Sequence, residues 1–128
     1  MRIRHRSSIG AFVALLWSGA LMGDEPERLH DALCAACHGQ RGAPLDMVLY
    51  PPLYDNPRIA AGGPILVANK MLRGAGNMYP LAHLLGDAEV VALANHLAIA
   101  NGSRAPALSA AQVTALRPAP DDAPVPAE

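Results

Sequence analysis

Aromatic residues are scarce in this chain. Its 128 residues hold five: Phe12, Trp17, Tyr50, Tyr54 and Tyr79. Apolar residues still make 52% of the sequence, and alanine carries much of that share. Small side chains bury little area each, and a domain of this size already sits near the margin of stability. The core therefore asks for a component beyond the twenty side chains. Cysteine is scarce too. Cys34 and Cys37 are the only two, which excludes a disulfide-dense secreted scaffold. No basic excess exists: 10 Lys plus Arg face 11 Asp plus Glu, a formal charge of −1. Nucleic-acid binders usually carry such an excess, so no nucleic-acid partner is expected. The length allows one domain with processed ends, not two ordinary cores.

The N-terminus reads as an address. Arg2, Arg4 and Arg6 precede an uncharged stretch from Ser7 to Gly23, apolar at Ile9–Trp17. Ser18, Gly19 and Ala20 then supply small residues before Asp24-Glu25. This is the layout of a secretory signal peptide over residues 1–20, with a cut after Gly23 as the alternative. The apolar stretch is shorter than the roughly 20 residues a spanning helix needs, so cleavage is favoured over an anchor. No membrane span remains after cleavage. The cut leaves 108 residues, 7 basic against 11 acidic, with three tyrosines as the sole aromatics.

The remaining chain reads as helical. Asp24-Glu25-Pro26-Glu27 opens a first helix, with acids at the positive dipole end and proline at the first position. Leu29, Ala32, Leu33 and Ala36 give its apolar stripe, and Gly39 stops it. Residues 39–63, rich in glycine and proline, predict a long functional loop. Pro64 starts a second helix through Ile65, Leu66, Ala68, Met71 and Leu72, ended by Gly74. Gly86 caps a third, with Glu89 at its third position and Leu85 stapled to Val90. Its face is Val90, Leu93, Ala94 and Leu97, and Asn101-Gly102 closes it. Ser109 with Gln112 forms a capping box for a short last helix before Pro118. Residues 118–128 predict a disordered tail rich in Pro, Ala and Asp. No alternating run suggests a sheet.

The chemistry lies in Cys34-Ala35-Ala36-Cys37-His38. C-x-x-C-H is the attachment motif of c-type haem. Thiols three residues apart lie on one side of a helical turn and can add to the two vinyl groups of one haem. His38 then serves as proximal iron ligand. Three other chemistries use paired cysteines. A thioredoxin-like redox pair follows a strand, and none precedes Cys34. Structural zinc needs four ligands, whereas His30, His83 and His96 are scattered. A plain disulfide is the structural alternative.

A haem carrier needs a sixth ligand. Met71 sits at core spacing inside the second helix. Met47 follows His38 too closely to cross to the other haem face, and Met22 lies in the frayed start. Met78 stands in a glycine-flanked loop stiffened by Pro80, so it is the expected distal ligand. His83 is the alternative, and Lys70 a remote third.

Beyond the C-x-x-C-H motif, several segments resemble the small class I c-type cytochromes. Tyr50-Pro51-Pro52-Leu53 is similar to the family's Pro-x-Leu after the haem-binding helix. The resemblance implies that the Pro51 carbonyl accepts the Nδ1–H of His38 and that Leu53 packs on the haem. Such a bond orients the ligand and raises its basicity. Leu72-Arg73-Gly74 through Met78-Tyr79-Pro80 resembles the axial-methionine loop, with Tyr79 inserted before the usual proline. Leu85-Gly86-Asp87-Ala88-Glu89 resembles the start of the C-terminal helix, with Gly86 in place of serine. His96 stands where an aromatic often packs between the terminal helices and reads as a partly buried core histidine. Tyr50–Pro57, and Asn101-Gly102 followed by 109–113, look like cytochrome modules serving bacterial periplasmic dehydrogenases.

The resemblance covers about residues 24–117, within a haem domain of 21–117. It implies an all-α, cytochrome c-like fold: three to four short helices and long loops around one covalent haem c. It also implies a periplasmic electron carrier, not an enzyme, between a dehydrogenase and an oxidase or another cytochrome. An exposed haem edge is expected near Cys34, Tyr54 and Met78, with Arg58 and Arg73 available to the propionates. A haem sensor or haem enzyme with an open sixth position is the alternative, and a thiol–disulfide oxidoreductase the non-haem one.

Overall fold

The computed structural model describes residues 25–43, 45 and 50–119. Five helices follow one another: α1 (Glu25–Leu33), α2 (Ala35–His38), α3 (Pro57–Arg73), α4 (Asp87–Ala100) and α5 (Ala110–Leu116). Among the described residues there is no strand, so this part of the chain is all-α. Two isolated bridges, Gln40–Ala43 and Ala75–Met78, close tight turns. No helix among the described residues is long and apolar enough to cross a membrane. The expected signal peptide, Met22, Met47 and most of the expected tail lie outside the described residues.

α4 is the centre of the packing. Its face Val90, Leu93, Ala94 and Leu97 is fully buried, as its 3.6-residue spacing requires. α3 lies against it through Val67, Ala68, Met71 and Leu72, α1 through Leu29, and α5 through Val113. Burying each Leu or Val in full contributes about 1.5–3 kcal/mol. Gly86 has no side chain to cap α4. Instead its N–H donates to Glu89 Oε2 at 2.8 Å, half of a capping box. Leu85 and Val90 are both buried across this start.

Two boundaries differ from the sequence reading. The first helix does not run unbroken to Gly39. It is deformed at Cys34 (φ −113°, ψ −37°), which separates α1 from α2. Its apolar stripe also differs. Leu29 and His30 are buried, whereas Ala32, Leu33 and Ala36 are exposed. The face that meets α4 is thus one residue round from the one that apolarity picks out. The second difference is that residues 57–62, read as loop, are helical. Asn56 caps α3, its Oδ1 accepting from the N–H of Arg58 at 2.9 Å and of Ile59 at 3.4 Å, and Pro57 follows in the first turn. The expected start at Pro64 survives as a break inside α3. Gly63 there has φ +66° and ψ −167°, a backbone reserved for glycine. A Cβ on Gly63 would strike the Ala105 methyl.

α5 does more than end the chain. Ser109 and Gln112 form the expected reciprocal cap, with Ser109 N–H donating to Gln112 Oε1 at 2.9 Å. After the helix, Arg117 Nε donates to Asp87 Oδ1 at 2.6 Å. Its two Nη groups donate to the carbonyls of Ala82 and Leu85, each at 2.7 Å. Thr114 Oγ1 donates to the other oxygen of Asp87. The segment between Met78 and α4 is therefore fastened from the C-terminal end.

Candidate functional site

Cys34, Cys37 and His38 share one helical turn. The Cys34 carbonyl accepts from the N–H of Cys37 at 3.1 Å and of His38 at 2.9 Å. Both cysteines are free thiols. Cys34 is buried and Cys37 exposed. Burial pushes the Cys34 thiol up to about 11, and Cys37 beside it adds to the shift. A thiol held so far above neutral pH is almost wholly protonated and a poor attacking nucleophile.

His38 is positioned by a distant carbonyl. Its Nδ1 lies 2.7 Å from the Pro51 oxygen. A carbonyl can only accept, so Nδ1 carries the proton and Nε2 keeps its lone pair. That is the contact the family resemblance implies. Leu53, two residues on, is half-buried and packs against the core cluster that contains Cys34. The Tyr50 ring stands edge-on to His38, centroids 6.4 Å apart.

Met78 sits in a tight turn. The N–H of Ala75 donates to the Met78 carbonyl at 3.1 Å, and the N–H of Met78 to the Ala75 carbonyl at 2.9 Å. Gly74 permits this turn. Its φ is +72°, and a Cβ there would run into the Met78 carbonyl. Leu81 N–H ties the loop back to the Met71 carbonyl at 2.7 Å. Met78 is half-buried against the core, as a thioether with polarizable sulfur allows. Met71 is buried in α3. His83 and Lys70 are exposed. Among the described residues, no three His, Cys, Asp or Glu side chains gather to hold a metal ion. The donors on offer are two thiols, one imidazole with a free Nε2, and one thioether.

Tyr54 is buried, 7% exposed, between three neighbours. Its hydroxyl lies 3.0 Å from His96 Nε2, the His30 ring stands edge-on at 5.0 Å, and Arg41 lies over its face at 5.1 Å. Burial pushes the phenol up and the His96 imidazole below its ordinary value. Burial thus favours neutral His96, whose Nε2 shares one hydrogen bond with the Tyr54 hydroxyl. His30 is 1% exposed, and among the described residues nothing bonds its Nε2. Its burial was not readable, because a histidine on a helix face carries no sign of which side it takes. Arg73 donates one Nη–H to the Leu116 carbonyl at 3.2 Å, and Arg58 is exposed.

No protein-family model matches the chain, and no curated protein matches it.

Proposed function

We propose that this chain is a periplasmic monohaem c-type cytochrome of class I, an electron carrier that serves a dehydrogenase. The observation that carries the proposal is the Cys34–His38 turn with His38 Nδ1 bonded to the Pro51 carbonyl. Cys34 and Cys37 would hold the haem through thioethers. His38 Nε2 and Met78 Sδ would ligate its iron, and Leu53 would pack on it. Haem held by these residues would supply one-electron redox chemistry. The chain's own part is to fix the imidazole. The Nδ1–H bond sets its tautomer and plane and makes Nε2 a stronger donor. A thiol–disulfide role is disfavoured by the setting of the pair, which follows helix α1 and not a strand.

Export fits the N-terminal pattern of residues 1–20. Docking would be largely apolar, since one lysine cannot form a basic ring. Tyr79, 84% exposed beside Met78, and Leu84 supply apolar surface near the proposed ligand. The electron donor would be a periplasmic dehydrogenase and the acceptor an oxidase or another cytochrome.

The test is expression with a c-haem assembly system. The product should carry one covalent, low-spin haem, with the weak long-wavelength methionine–iron band when oxidised. Met78→Ala should abolish that band and open the iron to carbon monoxide. A colourless product refutes the reading. A coloured wild type that binds carbon monoxide readily supports a sensor or enzyme instead.

A further inference from the structure

The segment Pro51–Asn56 is held at both ends. At one end the Pro51 carbonyl accepts from His38 Nδ1 at 2.7 Å. At the other end Asn101, which follows α4, grips it twice. Asn101 Nδ2 donates to the Leu53 carbonyl at 2.8 Å, and Asn101 Oδ1 accepts from the Asn56 N–H at 2.7 Å. Nδ2 also donates to the Leu97 carbonyl at 2.7 Å, which fixes the carboxamide on its own helix. Asn56 Nδ2 closes the turn onto the Pro52 carbonyl at 2.7 Å. Tyr54 adds a side anchor on His96, also in α4.

Two prolines join these ends. Pro51 and Pro52 each have φ locked near −65°, so few soft dihedrals separate the Pro51 carbonyl from Leu53. A shift at Leu53 is therefore passed on to the carbonyl that His38 meets. Asn101 is 48 positions from Leu53, and its side-chain hydrogen bonds among the described residues go to Leu53, Asn56 and Leu97, not to His38 or the cysteines.

We propose that Asn101 is a positioning residue for His38: by holding Leu53 and Asn56 it aims the Pro51 carbonyl at Nδ1, and so sets the donor strength of Nε2 toward haem iron. The inference rests on the haem reading above. Losing the grip weakens the Nδ1–H bond. A less basic imidazole stabilises oxidised iron less, so the reduction potential rises.

The experiment uses the full haem-loaded chain. Exchange of the His38 Nδ1 proton is followed by NMR in the reduced protein, and the potential is measured beside it. Asn101→Ala should speed exchange about 10- to 100-fold, the factor for two hydrogen bonds of ordinary net strength. The potential should rise, and the methionine band should stay. Val113→Ala is the control: it loosens the core at α5, away from residues 51–56, and should move neither readout. If Asn101→Ala does not accumulate, Asn101→Asp should speed exchange as well, since it keeps the acceptor for Asn56 and loses the donor to Leu53; its added charge lowers the potential by itself, so exchange alone is the readout for that variant. Coloured protein with unchanged exchange and potential overturns this inference alone. So does a Val113→Ala effect as large as that of Asn101→Ala. Colourless wild type overturns the haem reading and this inference with it.

Discussion

Gly63 and Gly74 offer a matched pair of perturbations. Their backbones are nearly the same, at φ +66°, ψ −167° and φ +72°, ψ 179°. Alanine in that region costs about 1–3 kcal/mol in strain alone. The neighbours then separate them. At Gly63 the new methyl meets the Ala105 Cβ, which moves only with its own backbone in the exposed loop after α4. At Gly74 it meets backbone, the Met78 carbonyl and Pro80, which can move only if the turn opens. Opening it gives up the two hydrogen bonds between Ala75 and Met78, each about 0.5–1.5 kcal/mol. Gly63→Ala should therefore cost at least about 1–3 kcal/mol, with the displacement of the Ala105 loop added, and Gly74→Ala about 2–6 kcal/mol. Guanidinium unfolding of the haem-loaded variants, followed by circular dichroism, measures both. Under the proposed function, a methionine–iron band read in the native baseline separates them. Gly74→Ala should weaken or lose it, while Gly63→Ala should keep it. The reasoning fails if Gly74→Ala keeps both band and stability, or if Gly63→Ala loses the band as well.

Other consequences can be checked separately. The hydrogen bonds from Thr114 and Arg117 hold the Asp87 carboxyl below its ordinary 3.8. A lowered carboxylate pKa stabilises the fold above the unfolded value, and this stabilisation fades as pH falls below about 4. Unfolding curves against pH should show that acid loss in the wild type and a flatter acid limb in Asp87→Asn. Leu93→Ala, at a fully buried site, should cost about 2–5 kcal/mol by the same denaturant assay. If the haem completes the aromatic-poor core, haem-free chain should show no cooperative transition in calorimetry, and a sharp one would count against that view.

The readable parts of the fold were those carried by local pattern. α4 announced itself through four apolar residues at helical spacing and a Gly86–Glu89 start. α5 did so through Ser109 and Gln112. The first turns of α3 were hidden because Gly62, Gly63 and Pro64 look like a loop, and Gly63 does break the helix there. The signal that could have found them was Asn56-Pro57, a cap followed by proline. The site divides in the same way. Cys34, Cys37 and His38 are adjacent in sequence and state their own chemistry. The buried trio of His30, Tyr54 and His96 depends on α1, α4 and a loop meeting, which no local spacing encodes. Asn101 read only as a helix stop, because its partners Leu53 and Asn56 are more than forty residues away.

The clamp at Arg117 also defines where load enters the molecule. Its three contacts reach Ala82, Leu85 and Asp87, so tension applied through residues after 117 is borne by the start of α4. α5 shares that load through the backbone and through its buried Val113. A domain fused after Pro118 would thus tug on a junction that is already fastened, in the segment that leads from Met78 into α4. A fusion or truncation made before Arg117 would remove that fastening.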